Sequence, residues 1–275
     1  MPTLPPDGAQ SATPASHQER RMAESFGSDA ERYDRARPRY PTALVRRIAT
    51  GSPGPYVLDV GCGTGIAARQ FHAAGCRVLG VDVDARMAEF ARRGGVETEV
   101  ATFEDWDAAG RVFDAVVAGQ TWHWVDPVAG AAKAARVLRP GGRLALFWNV
   151  PRPSPEVAAA FHEVHQRVLP NEPLNQWAKP ALEGHVALLA QAADGIRQAD
   201  AFEEPEEWRF AWEQSYTRDA WLDQIPTSGV AARMPAATLE ELMSATGAAI
   251  DAMGGAFTMP YTSVVVTARR TGADG

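Results

Sequence analysis

The chain has 275 residues, 45% of them hydrophobic and 22% charged, with a net charge of −7. That length and balance suit one large globular domain, or a domain with an insert, of ordinary soluble composition. The acidic balance excludes a general nucleic-acid binder, which needs a basic surface over phosphates, and no apolar run approaches the ~18 residues of a membrane span.

Residues 1–18 are rich in Pro, Ser, Ala and Gln and lack an apolar period, which predicts a disordered tail. They have neither a charged n-region nor an apolar h-region, so no secretory signal is read and a cytoplasmic setting is expected. Cys62 and Cys76 are too few for a disulfide framework or a thiolate zinc site. Residues 19–50 are expected to form a helical lid segment. Met22, Phe26 and Tyr33 fall at near-helical spacings, Arg37-Pro38-Arg39-Tyr40-Pro41 breaks the helix, and 42–50 reads as a second short helix. Over 51–150, strands at 56–60, 77–82, 96–101, 113–118 and 143–149 alternate with helices at 65–74, 84–93 and 127–138. Asp84 is placed to cap the second helix, and Asp126-Pro127 reads as cap plus first-turn proline. Pro140-Gly141-Gly142 reads as the stop of the third. Strands joined by single helices imply right-handed crossovers, a parallel sheet, and ligands at its carboxyl edge. Residues 151–200 read as a helical cap insert, 206–212 as a strand, 236–253 as a helix and 261–270 as a last, antiparallel strand, so 201–275 completes the sheet.

The most informative stretch is VLDVGCGTG at 57–65. An apolar strand runs into Gly61, Gly63 and Gly65, and a helix follows, an arrangement that brings backbone close to a bound nucleotide. Asp82, at the end of the second strand, is placed to accept hydrogen bonds from a ribose diol. A dinucleotide fingerprint would need a glycine where Ile66 stands. Asp59 would repel a pyrophosphate, but suits a ligand carrying an ammonium and a sulfonium.

This D-x-G-x-G-x-G stretch resembles motif I of the class I S-adenosylmethionine (SAM)-dependent methyltransferases. Further segments are similar to the small-molecule branch that includes trans-aconitate methyltransferase-like proteins. These are Tyr33-Asp34-Arg35-Ala36-Arg37-Pro38-Arg39-Tyr40-Pro41, Gly119-Gln120-Thr121-Trp122-His123-Trp124-Val125-Asp126-Pro127, Arg139-Pro140-Gly141-Gly142, Phe147-Trp148-Asn149 and Met259-Pro260-Tyr261. The resemblance covers roughly 24–150 and 255–270. It implies an α/β, Rossmann-like, doubly wound and mostly parallel seven-stranded sheet with an antiparallel last strand and a helical cap. It implies SAM as cofactor, with S-adenosylhomocysteine (SAH) as product. The expected cofactor set is Tyr33, Arg37, Asp59, Gly61, Cys62, Gly63, Asp82, Val83, Met87, Phe103, Glu104 and Gln120, with Tyr33 and Arg37 near the amino-acid end. Many members carry an acid just after the third strand that meets the adenine amino group. Thr102 stands there instead, which shifts adenine recognition to backbone at Phe103 or to Glu104.

Methyl transfer from a sulfonium is an in-line displacement, and the protein must align nucleophile and methyl carbon ~3–3.5 Å apart. His123 is the candidate base, against a purely structural role beside an aromatic wall. A carboxylate acceptor needs no base, whereas a phenol or alcohol would gain ~10²–10⁴-fold from one. Trp122, Trp124 and Trp148 are candidate substrate-pocket residues, with at least one of Trp122 and Trp124 expected in the core. His162 and His165 do not form an H-E-x-x-H site; they read as a surface pair, and no metal is expected. The expected function is methylation of a small organic molecule, at carboxylate or hydroxyl oxygen, in natural-product or other secondary metabolism. The expected partner is that small molecule, with no nucleic acid and no membrane, and the protein a monomer or homodimer. The alternatives are a nicotinamide-dependent oxidoreductase and a non-catalytic SAM-binding protein.

Overall fold

The computed structural model describes residues 26–170, 177, 181–231 and 234–272, so the expected tail at 1–18 and Met22 lie outside it. Strands β1 (Tyr56–Val60), β2 (Arg77–Asp82), β3 (Glu97–Val100), β4 (Phe113–Gly119) and β5 (Leu138–Pro151) run parallel. Strand β7 (Ala256–Arg269) lies antiparallel between β5 and β6 (Glu206–Thr217). The order is β3-β2-β1-β4-β5-β7-β6. It reverses direction between β1 and β4, which opens a crevice at their carboxyl ends.

Strand side chains alternate between the two faces of a sheet, and here both faces are apolar. Leu58, Val60, Val116, Ala118, Leu146 and Trp148 pack on one side, under helices α5 (Pro127–Val137) and α7 (Ala181–Gln198). Val57, Ala115, Val117, Ala145 and Phe147 pack on the other, under α2 (Thr42–Thr50) and α3 (Ile66–Ala73). Asp84 caps α4 (Ala85–Arg93) by accepting from the Arg86 N–H. Asp126 caps α5 through the N–H groups of Val128 and Ala129, with Pro127 in the first turn. Ser154 caps α6 (Pro155–Val168).

Three boundaries depart from expectation. Helix α5 ends at Val137, and Leu138 already pairs with Phe113 of β4, with a register shift before Ala115. Arg139-Pro140-Gly141-Gly142 is therefore a kink inside β5 and not a turn outside it. The antiparallel β6–β7 pairing runs on to Thr217↔Ala256. Its outer residues escape a hydrophobic pattern because Glu213 and Ser215 face solvent. A short helix, α8 (Arg218–Gln224), was not expected; Thr217 caps it. Helix α9 (Ala236–Ala252) then leads into β7.

The N-terminal segment is laid across the carboxyl edge of the sheet by three ties. Gly27 N–H donates to Asp84 at 2.9 Å. Asp34 and Arg35 sit in helix α1 (Ala30–Ala36). Arg69 pairs with Asp34, and Arg35 pairs with Asp223 at 2.8 Å. Among the described residues no helix is long and apolar enough to cross a membrane.

Phe147 is fully buried and meets the Tyr40 ring edge-on at 4.7 Å. Phe147→Ala should lower unfolding stability by ~3–5 kcal/mol, read from the urea midpoint at unchanged slope.

Candidate active site

The turn after β1 needs glycine for two different reasons. Gly61 has φ +62°, and a Cβ there would come within 2.0 Å of Thr121 Cγ2. Gly63 has φ +55°, and a Cβ there meets no protein atom within 4 Å; it would project into open space. That space is a cavity of about 400 Å³ at the carboxyl ends of β1, β2 and β4.

Ten of the twelve expected cofactor residues line it: Tyr33, Arg37, Gly61, Gly63, Asp82, Val83, Met87, Phe103, Glu104 and Gln120. His123 and Trp124 line it too. Asp59 and Cys62 do not. They border a recess of about 50 Å³ behind the glycine turn, together with Thr64. In that recess Asp59 Oδ2 and Thr64 Oγ1 are buried with no hydrogen-bond partner. Burial, then the nearby Asp82, raises the Asp59 carboxyl to about 8. The Asp59 carboxyl thus holds its proton more tightly than an exposed carboxyl does.

Asp82 accepts from Gly63 N–H at 2.7 Å and from Asp84 N–H at 2.8 Å. Burial outweighs these bonds and lifts its pKa to about 6. Asp82 lines the cavity and keeps acceptor capacity toward a ligand diol. On the opposite wall, Thr102 Oγ1 donates to Asp105 at 2.7 Å. Glu104 accepts from Asp126 N–H at 3.1 Å, so it also pins the loop after β4. Arg37 stacks over the Tyr33 ring at 5.0 Å and donates through Nη2 to the Thr227 carbonyl. Its Nε is buried without a hydrogen-bond partner.

Two of the expected substrate residues stand away from the cavity. Trp122 and Trp148 are 2% and 1% exposed and belong to the core cluster on one sheet face. The strand alternation that sends Phe147 to one face sends Trp148 to the other, and Trp122 packs against Gly130, where a Cβ would lie 3.1 Å from its ring. Trp124 alone of the three borders the cavity. His123 Nδ1 accepts from Trp148 Nε1 at 3.5 Å, which leaves the ring proton on Nε2 in the neutral form. Burial, then the nearby His185, pushes its pKa down to about 4. At pH 7 it is a neutral ring better suited to donating a hydrogen bond than to taking a proton.

A second chamber, of about 470 Å³, adjoins the first and went unread in the sequence. Arg37, Gln120, Ser228 and Val230 border both. Gln120 is held there at φ +58°, with its N–H on the Phe147 carbonyl at 2.8 Å and its amide on the Asn149 carbonyl at 3.2 Å. The chamber walls include Phe161, Trp177, Trp221 and Tyr261. His165 faces this chamber, which corrects its reading as half of a surface pair. Among the described residues no cluster of three His, Cys, Asp or Glu could hold a metal ion.

Residues 58–146 match the family model of the methyltransferase domain. An uncharacterised methyltransferase of Mycobacterium tuberculosis is 39% identical over 132 residues, 47% of this chain and 54% of that one. The chain spans about half the length of this and several other curated relatives. A malonyl-[acyl-carrier protein] O-methyltransferase of Enterobacter lignolyticus is 30% identical over 187 residues, 66% of this chain and 74% of that one. A solved protein from Anaeromyxobacter dehalogenans, described as a candidate type II methyltransferase, superposes with a TM-score of 0.62 at 28% identity, covering 85% of this chain and 97% of that one. The chain belongs to the class I SAM-dependent methyltransferases. The trans-aconitate-like branch is not singled out among these relatives.

The site fits the cofactor of that family. The open flank of Gly63 would admit its backbone-hugging portion and Asp82 would offer acceptors to the ribose, while Asp59 stands behind the turn, outside the cavity. A diol donates best to an ionised acid, and the Asp82 pKa is raised, so the interaction is full above about 6 and weakens as pH falls through it. SAH affinity should drop across that window in wild type. Asp82→Ala should lower it ~10–10²-fold at pH 7.5, from loss of charge-assisted bonds, and flatten the profile; calorimetric titration at several pH values checks both.

Proposed function

We propose that the chain transfers the methyl group of SAM to an oxygen of a small organic molecule. The observation that carries this reading is the adjoining pair of cavities, one for a nucleoside cofactor and one apolar, meeting at Arg37 and Gln120. When bound, SAM supplies an electrophilic methyl carbon on a sulfonium. The chain's own work is to hold the acceptor at the junction, in line with that carbon, and to exclude water. Helix α1 and the segment Ser228–Val230 roof the junction, and we assign 19–50 and 151–200 as lid and cap. The relative named for malonyl-acyl-carrier protein is an O-methyltransferase, which supports oxygen as acceptor. We place the acceptor in secondary metabolism and the enzyme in the cytoplasm, in keeping with two free cysteines.

Methyl-labelled SAM incubated with a small-molecule extract of the source cells should yield a labelled product detected by mass spectrometry. A cofactor-bound protein that labels nothing across such extracts would overturn the reading. His123 enters as a neutral hydrogen-bond donor and positioning group, given its Trp148 contact. His123→Ala should therefore cost less than ~10-fold in kcat, against the ~10²–10⁴-fold expected of a lost general base.

A further inference from the structure

The second chamber has a chemistry of its own. Well-packed interiors leave few voids larger than a water molecule, yet this one has the volume of a small-molecule site. Its aromatic side is one packed cluster. Phe161 and Trp221 stack at 5.5 Å, Trp177 meets Phe161 edge-on at 5.1 Å, and Tyr261 completes the lining. Flat apolar ligands are what such walls take. The polar side is one-signed. The protein carries 34 acidic residues against 27 basic ones, but among the described residues that line this chamber there is no Asp or Glu. Arg37 lies at its mouth, with His165 and His185 on its walls. The guanidinium has a buried Nε without a hydrogen-bond partner, on the border with the cofactor cavity.

We propose that this chamber binds a flat apolar carboxylic acid and presents its carboxylate at the junction beside Arg37, so that the product is a methyl ester. The proposal rests on the methyltransferase reading above and names its substrate class. A carboxylate oxygen supplies the electron pair for the new C–O bond. The methyl–sulfur bond breaks with its pair on sulfur, and the sulfonium becomes a neutral thioether. No proton moves, so the step needs no base, in keeping with a His123 whose Nδ1 is occupied by Trp148. An alcohol acceptor would have to shed a proton, and the described residues that border both cavities, Arg37, Gln120, Ser228 and Val230, include no base. A protonated amine would also face Arg37 with no carboxylate among the described lining residues to offset it.

The test is calorimetric titration of the full chain, saturated with SAH, with 2-naphthoate and with 2-naphthamide, which share a shape and differ in charge. The acid should bind at least about tenfold more tightly, the usual size of a hydrogen bond to a charged group. Arg37→Gln, titrated at an SAH concentration raised until the variant is saturated because Arg37 also borders the cofactor cavity, should remove that preference. Trp177→Ala should weaken both probes several-fold and leave SAH affinity unchanged, because Trp177 does not line the cofactor cavity. Equal binding of acid and amide to wild type, or a preference that survives Arg37→Gln, overturns the proposal. Loss of SAH binding by wild type is a separate result, and it removes the methyltransferase reading and this proposal together.

Discussion

Asp82 accepts the N–H groups of both Gly63 and Asp84, so one buried carboxylate clamps the first and second strand-to-helix turns together. Burying a carboxyl is unfavourable unless its lone pairs are met, and the backbone amides meet them in part. The tie propagates outward. Asp84, set in place by Asp82, caps α4 and holds Gly27. Gly27 in turn opens the N-terminal segment that carries Tyr33 and Arg37 over the crevice. The floor and the roof of the cofactor cavity thus share one anchor.

From that anchor the two cavities take their relative position. Arg37 leaves α1 and reaches the Thr227 carbonyl, which brings the segment after α8 against the roof. Gln120, strained into the left-handed region, ends β4 at the same point. Strain of this kind persists where surrounding hydrogen bonds over-determine the backbone, and the Phe147 and Asn149 carbonyls do so. The junction is bordered by the polar side chains of Arg37, Gln120 and Ser228, while the chamber beyond it has aromatic walls. Under the proposed function, this division separates positioning of the reacting atom from recognition of the rest of the acceptor.

Much of the cofactor site was legible in the chain because its signals are local. Positive φ at Gly61 and Gly63 follows from the absence of a Cβ, and capping at Asp84 and Asp126 follows from short-range side-chain-to-backbone bonds. The tryptophans were harder to read. Trp122, Trp124 and Trp148 have the same side chain and all sit near strand ends, but alternation in β5 and a glycine opposite Trp122 bury two of them. The raised pKa of Asp59 and the lowered pKa of His123 were likewise invisible, since desolvation depends on what packs around a group and not on its neighbours in sequence.

By itself, the sequence determined the alternation of strand and helix, the glycine turn with its acid at the end of β2, and hence the class of cofactor. These are encoded within windows of a few residues, where backbone sterics and hydrophobic period act. Only the tertiary structure decided the second chamber and the junction. Arg37 meets Thr227 across 190 residues and Arg35 meets Asp223 across 188. Contacts at such separation arise from how the sheet and its cap pack, because no local pattern records which distant segment will supply the facing wall.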